Sequence, residues 1–363
     1  MAKRIIIAGG GTGGHIFPAI AIANALKQQD AAHQILFVGA NGKMEMEKVP
    51  QAGYDIKGLD IAGFNRSSLI KNIGLPFKLA KSFFQVRSII NDFKPDAVVG
   101  VGGYSSFPVL RYAQAKGIPT FIHESNSFAG KSNILLGKNV TKAFVAIDGM
   151  EKFFPANRVV ITGNPVRPSI VKAEDVPKAE ALRFFGLSEG KLTVLAVGGS
   201  LGARSINEAL EERLSDFVKK DMQLIWQTGK TEMDRWKKQA SGKAGIWVND
   251  FITQMEMAYA AADIVVSRSG AMAVAELCVV KKPSVFVPYP FAAEDHQTVN
   301  AKKLVDKNAA LMVKDSEAKE KMVDAIFALA DNRTQQQQLK GNIEKLAIVD
   351  ADQRIADEIL KSI

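Results

Sequence analysis

At 363 residues the chain exceeds what one hydrophobic core ordinarily serves, so two domains are expected. A hydrophobic fraction of 47% is that of a packed globular protein, no apolar run reaches the roughly 18 residues of a membrane span, and the N-terminus enters a strand pattern without a signal-peptide core, so the chain reads as mature and cytosolic. The net charge of +9 asks for an acidic partner, but scattered Lys and Arg without an aromatic-plus-basic motif or finger spacing argue against nucleic acid; a single cysteine, Cys278, rules out an intramolecular disulfide and a cysteine metal cluster.

The first predicted strand, Arg4–Ala8, runs into five glycines within six positions and then His15. Gly9, Gly11 and Gly14 satisfy the dinucleotide pattern G-x-G-x-x-G, which also requires an acidic residue at the end of the second strand to hold a ribose. The second run, Gln34–Gly39, is followed by Ala40-Asn41, and the next carboxylate is Glu45. The dehydrogenase reading therefore lacks its discriminating residue, and no Gly-Lys-Ser/Thr supports a P-loop. What remains is an anion site made of backbone N–H groups at a helix N-terminus.

Farther on, a helical pattern over Leu75–Lys94 carries two apolar stripes. Leu79, Phe83, Val86 and Ile90 suit packing on a sheet; Phe77 and Phe84 lie on nearly the opposite face, beside Lys81 and Arg87 and near Lys71 and Lys78. That second stripe has the composition of a segment meeting an anionic lipid surface, unless another helix covers it. Strand-like runs follow at Ala97–Val101, Thr120–His123, Lys142–Ile147 and Val159–Thr162. Between Asn164 and Lys178 three prolines break the rhythm, which marks a hinge.

The second half repeats the plan with runs at Thr193–Val197, Leu224–Gln227, Ile246–Val248, Ile264–Ser267, Ser284–Pro288 and Ala310–Val313. Gly198-Gly199-Ser200 and Gly202 form another anion-competent turn. Ser267-Arg268-Ser269-Gly270 ends a strand, and Glu276, two turns into the next helix, can accept both hydroxyls of a ribose. Apolar runs buried on both faces and separated by helices predict an α/β protein of two doubly wound, Rossmann-like parallel-sheet domains facing a cleft. The expected division is 1–163, 164–340 and a C-terminal helical segment, 341–363, that packs back on the N-terminal domain. His33 reads as structural, and His296 as either a substrate contact or a packing residue.

In order along the chain, GGGTGGH, GVGGYSSFP (Gly100–Pro108), HESN (His123–Asn126), TGNPVR (Thr162–Arg167), GGSLGA (Gly198–Ala203), SRSGAMAVAE (Ser267–Glu276) and EDHQTVNA (Glu294–Ala301) give a sequence that resembles the MurG family. These are bacterial N-acetylglucosaminyltransferases of peptidoglycan synthesis with the GT-B fold. The resemblance implies transfer of N-acetylglucosamine from UDP-N-acetylglucosamine to the 4-hydroxyl of MurNAc in undecaprenyl-linked lipid I, with inversion, giving lipid II. It implies a donor site in the second domain: Phe251 and Ile252 at the uracil, Glu276 on the ribose, Ser200 and Arg167 at the diphosphate, the run Ala271, Met272, Ala273, Val274, Ala275 beside it, and Gln297 and Asn300 at the sugar. Asn126 would close that site from the N-terminal side, and the amides of Thr12, Gly13 and Gly14 would bind the acceptor diphosphate.

His15 is the expected general base, with Glu124 as competitor or as its orienter. No metal and no cofactor is expected, since the only Asp-x-Asp, Asp350-Ala351-Asp352, lies far from any glycine loop. The implied location is peripheral, on the cytoplasmic face of the inner membrane, with its anionic surface and other cell-wall synthesis proteins as partners. A soluble UDP-sugar enzyme such as a UDP-N-acetylglucosamine 2-epimerase, and a non-enzymatic nucleotide-sugar binding module, stay open as alternatives.

Overall fold

The computed structural model describes residues 1–62, 75–199 and 201–363. The chain forms two compact units, Met1–Arg167 with Asp350–Ile363, and Pro168–Val349.

In unit 1 the apolar runs become strands because residues such as Ile5, Ile6 and Ile7 find cover on both faces of a sheet. The strands are β1 (Arg4–Ala8), β2 (Gln34–Ala40), β3 (Asp55–Leu59), β4 (Ala97–Gly100), β5 (Thr120–Glu124), β6 (Lys142–Val145) and β7 (Val159–Ile161). They pair in the order β3-β2-β1-β4-β5-β6-β7, all parallel. The order reverses between β1 and β4, which is where doubly wound sheets place ligands. The loops after those two strands carry GGGTGGH and GGY. The helices are α1 (Gly13–Gln29), α2 (Glu45–Gln51), α3 (Leu75–Phe93), α4 (Ser106–Ala115) and α5 (Lys131–Gly137).

Unit 2 opens with α6 (Pro168–Val171) and α7 (Lys178–Phe184). Its strands are β8 (Thr193–Val197), β9 (Gln223–Gln227), β10 (Ile246–Asn249), β11 (Ile264–Ser267), β12 (Ser284–Phe286) and β13 (Leu311–Met312), parallel in the order β10-β9-β8-β11-β12-β13. The switch point lies between β8 and β11, so GGSLGA and SRSG both leave the sheet there. The remaining helices are α8 (Arg204–Lys219), α9 (Met233–Ala240), α10 (Met255–Ala261), α11 (Ala271–Val279), α12 (His296–Val305), α13 (Ala318–Ala330) and α14 (Arg333–Glu344).

The chain then returns to unit 1 as α15 (Ala351–Leu360), whose Ile355, Ala356 and Ile359 join Ile16 and Ile22 of α1 in one buried cluster. Gln29 donates to Asp357 at 2.6 Å beside that seam.

Two sequence expectations change. The strand β3 was not among the expected runs, because Asp55, Lys57 and Gly58 interrupt its apolar character; as the sheet edge it needs only one covered face. The units divide at Arg167/Pro168 rather than after residue 163, and the returning segment starts at Asp350 rather than 341. The physical reason is α14, whose Leu339 and Ile343 are buried in unit 2 and hold residues 341–344 there.

Candidate active site

In unit 1 the loop after β1 is held from beneath. The N–H of Gly9 donates to Val38 O at 3.1 Å, that of Gly10 to Gly102 O at 3.3 Å, and that of Gly11 to Glu45 Oε2 at 2.8 Å. These three amides are spent on the fold. The expected anion donors, Thr12 at the N-cap of α1 and Gly13 and Gly14 in its first turn, come next; the first turn of a helix has no intrahelical acceptor for its N–H groups. Arg167 places its guanidinium 4.8 Å from the centre of the Phe17 ring, one turn into α1, bringing a cation to the same end of unit 1.

His15 is half-buried at this loop. Its Nδ1 lies 3.0 Å from Gly10 O and 3.5 Å from Thr12 Oγ1. A carbonyl only accepts, so Nδ1 carries the proton in that bond and Nε2 is left with its lone pair. The ring rests on Gly102, at φ +98°, where a Cβ would meet its Nε2 and Cδ2 at 2.8 Å. Glycine at 102 thus serves both the left-handed turn and the close approach of the imidazole.

Glu124 is bonded within its own loop. Its Oε1 accepts from the backbone and side-chain N–H of Asn126 at 3.1 and 3.3 Å, and its Oε2 from Gly130 N at 3.0 Å and Asn133 Nδ2 at 2.9 Å. A buried carboxylate with four N–H donors clamps the loop between β5 and α5, and its lone pairs are committed. That geometry gives it a structural role at this loop, and no hydrogen bond between it and His15 is found among the described residues. Asn126 is oriented by this clamp. His123, just before it, is buried with its Nε2 3.4 Å from Gly163 O; desolvation pushes it down to about 4, the Gly163 hydrogen bond opposes this, and nearby His15 adds to it.

The donor-type residues of unit 2 gather around β8, β9 and β11. Gln227, buried at the end of β9, donates to Gly199 O at 3.0 Å and accepts from Ile252 N at 2.9 Å. One amide therefore sets both the glycine turn and the segment expected at the uracil. The Ile252 N–H is committed to Gln227. Phe251 beside it is exposed.

Half-buried Glu276 on α11 accepts from Tyr259 OH at 3.0 Å. Ala271, Met272, Ala273, Val274 and Ala275 form the preceding turns of α11, after its N-cap Gly270. Gln297 accepts from Tyr289 N at 2.9 Å through Oε1, which orients its NH₂, and its backbone O accepts from Ser269 Oγ at 2.8 Å. Asn300 is buried and donates to Ser269 O at 3.1 Å. Arg268 spans Val287 O, Pro288 O and Asp315 at 2.9, 3.1 and 2.5 Å, fixing the loop after β12. Ser200 and Lys71 lie outside the described residues.

Tyr259 went unnoticed in sequence, Gln227 was read only as the end of a strand, and Arg268 only as part of the SRSG turn. A polar residue closing an apolar strand before a glycine turn was the available signal for Gln227. The two other expectations on histidines differ in outcome: His33 is buried and accepts from Lys3 N at 2.9 Å, a structural contact, while His296 is the first residue of α12. Among the described residues no three His, Cys, Asp or Glu side chains converge to hold a metal ion.

On α3, Phe77 and Phe84 are 80% and 71% exposed, whereas Val86 and Ile90 are buried. Arg87 is exposed; Lys81 pairs with Asp60 at 2.8 Å, and that hydrogen bond, with another from Asn41, holds the Asp60 carboxyl below its ordinary range. Among the described residues no helix is long and apolar enough to cross a membrane.

Comparison with known proteins bears on the whole chain. The glycosyltransferase family 28 N-terminal domain matches residues 5–145, and the family's C-terminal domain matches residues 193–355. The chain is 51% identical over 362 residues to the UDP-N-acetylglucosamine–N-acetylmuramyl-(pentapeptide) pyrophosphoryl-undecaprenol N-acetylglucosamine transferase of Phocaeicola vulgatus, covering 99% of this chain and 96% of that one. It resembles the crystal structure of MurG from Acinetobacter baumannii with a TM-score of 0.78 at 31% identity, over 99% of both chains. A UDP-GlcNAc 2-epimerase from Neisseria meningitidis is similar at TM-score 0.70 but 13% identity, over 99% of this chain and 100% of that one, which is likeness of fold alone.

Proposed function

We propose that this chain, which belongs to glycosyltransferase family 28, transfers N-acetylglucosamine from UDP-N-acetylglucosamine to the 4-hydroxyl of MurNAc in undecaprenyl-diphospho-MurNAc-pentapeptide. The observation that carries the reading is end-to-end identity of 51% to a transferase of that name, a level at which the epimerases of similar fold do not compete. The donor belongs to unit 2. Glu276, oriented by Tyr259, accepts the ribose hydroxyls; Ile252 and Phe251 frame the uracil; Ser200 and the α11 N-terminal run Ala271–Ala275 face the diphosphate and sugar; Gln297 presents its NH₂ to the sugar, and Asn300 supports the Ser269 backbone beneath it.

The acceptor and the base belong to unit 1. The amides of Thr12, Gly13 and Gly14 take the acceptor's diphosphate charge, the Arg167 guanidinium takes that of the departing UDP, and Asn126 presents its side chain from the Glu124 clamp. As the MurNAc O4 lone pair attacks the anomeric carbon, its proton passes to His15 Nε2. The bond from that carbon to the β-phosphate oxygen breaks with its electron pair, and UDP leaves from the opposite face, so the configuration inverts. Fixed amides and Arg167 supply the leaving-group stabilisation in this scheme.

A lipid acceptor places the enzyme at the membrane surface, on the cytoplasmic side where UDP-sugars are made. Phe77 and Phe84 are the side chains that enter the lipid, with Arg87 at the phosphates and Lys81 shared with Asp60. The deciding experiment is transfer of labelled N-acetylglucosamine to a lipid I analogue in the presence of EDTA. The expected product is the β-linked disaccharide lipid with one UDP released per transfer. Epimerised sugar with no lipid product would make it an epimerase, and nucleotide-sugar binding without turnover would make it a binding module.

A further inference from the structure

The peptide between Gly10 and Gly11 is held at both ends. Its N–H donates to Glu45 Oε2 at 2.8 Å, and its C=O is the group that accepts from His15 Nδ1 at 3.0 Å. A trans peptide points these groups in opposite directions, so carboxylate, peptide and imidazole lie along one line of hydrogen bonds. Glu45 comes from the first turn of α2, is only 1% exposed, and uses its other oxygen, Oε1, to accept from Ala40 N at 3.0 Å.

The fold makes room for this carboxylate. A Cβ on Gly10, at φ +149°, would lie 2.2 Å from Glu45 Cδ, and one on Gly39 would lie 2.5 Å from Glu45 Cγ. Two glycines, one in the loop after β1 and one near the end of β2, are thus explained by a side chain of the protein rather than by a ligand. Both hydrogen-bond donors to Glu45 are neutral N–H groups, and among the described residues no Lys or Arg forms an ion pair with it. A buried negative charge satisfied only by neutral donors keeps its field.

We propose that Glu45 is a positioning residue for the transfer reaction: through the Gly10–Gly11 peptide its carboxylate fixes the His15 imidazole as the Nδ1–H tautomer and stabilises the imidazolium formed when Nε2 takes the acceptor proton. This rests on His15 being the base. Hydrogen bonds in series polarise one another, so a carboxylate on the peptide N–H makes the peptide C=O a stronger acceptor. The arrangement does the work of a carboxylate bound directly to imidazole, with one peptide between them. The other charged or titratable groups around this loop are Tyr104 from the loop after β4, whose hydroxyl is pushed up by burial and then by Glu45, His123 at the end of β5, and Arg167 over Phe17.

The test is the kcat–pH profile, at saturating substrates, of the full-length enzyme and of Glu45→Gln, His15→Gln and the double variant. Glu45→Gln keeps the size and one acceptor oxygen while removing the charge. It is expected to lower kcat about tenfold, to move the acidic limb of the profile to lower pH by about half a unit or more, and to leave KM for UDP-N-acetylglucosamine unchanged. In the His15→Gln background the same change is expected to do nothing more. An unmoved limb, or an equal loss in both backgrounds, would make Glu45 a packing residue and overturn the proposal. Parental kcat in His15→Gln would instead sink the reading of His15 as base. Nitrogen-15 NMR of the unaltered protein tests the tautomer without any variant: protonated Nδ1 with unprotonated Nε2 is expected, and the reverse overturns the relay.

Discussion

His15 and His123 stand close enough to influence each other, yet the fold gives them opposite surroundings. His15 is half-buried with Nε2 left as an acceptor; His123 is 1% exposed and desolvation holds it at about 4. The unfolded chain returns His123 to about 6.5, so between those values the unfolded state binds the extra proton. Stability tied to neutral His123 is therefore complete above pH 6.5 and is lost as pH falls through 4, a change of about 3 kcal/mol. Urea unfolding at a series of pH values should show that slope in the parent and a flatter one in His123→Gln; equal slopes would mean that another group titrates there.

At this scale the sequence was readable where a side chain sits beside a glycine loop, as His15 does, and misleading where a side chain folds back. Glu45 drew notice only as too late in the chain to hold a ribose, because a linear pattern does not reveal that α2 returns its first turn beneath the loop after β1. Glu124 reads in sequence as a competing base or as the orienter of His15, and its own loop is invisible in that reading. Asn126, Gly130 and Asn133, all within nine residues of it, donate to its oxygens.

Among the elements, α3 has the clearest division of faces. Val86 and Ile90 face the core, while Phe77 and Phe84, seven residues apart, occupy one exposed stripe. Burying an aromatic side chain contributes about 1.5–3 kcal/mol, so two rings entering a bilayer surface should together change the partition coefficient by about 10²- to 10⁴-fold. Phe77→Ser with Phe84→Ser is expected to abolish most binding to vesicles containing phosphatidylglycerol and to leave thermal unfolding and transfer to a short-chain, water-soluble acceptor nearly intact. A large fall in melting temperature would mean that the stripe is covered by protein. Elements buried on both sides were legible for the same reason that this helix was, since their apolar residues repeat without interruption. The edge strand β3 was not, because its burial alternates and its exposed positions carry Asp55 and Lys57.

For the molecule as a whole, the notable feature is that unit 1 is built from two distant stretches of chain. The sequence suggested a helical tail returning to the first domain, but no periodicity marks where α14 ends its service to unit 2 and α15 begins its own. Both helices are amphipathic, and only the partner distinguishes them. Ile355 and Ile359 are fully buried beside Ile16, Ile22 and Leu26, and hydrogen bonds from Gln29 to Asp357 and from Gln353 to Gln28 flank that contact at 2.6 Å each. The tail is thus part of the core beneath the helix that carries His15. Truncating one such isoleucine leaves a cavity that the surrounding helices fill only in part, at a cost of about 2–5 kcal/mol. Ile355→Ala should therefore lower the melting temperature by several degrees, by the usual relation of about 2–4 °C per kcal/mol for units of this size. Donor affinity should change little, because every residue assigned to the ribose and uracil, with Gln297 and Asn300 at the sugar, lies in the continuous segment Pro168–Val349, and Arg167 and Asn126 are the donor-side residues of unit 1. Calorimetry paired with titration of UDP-N-acetylglucosamine separates the two effects. Loss of donor affinity in a variant still folded at the assay temperature would show that α15 supports the donor site as well, and that the division of labour between the two units is drawn in the wrong place.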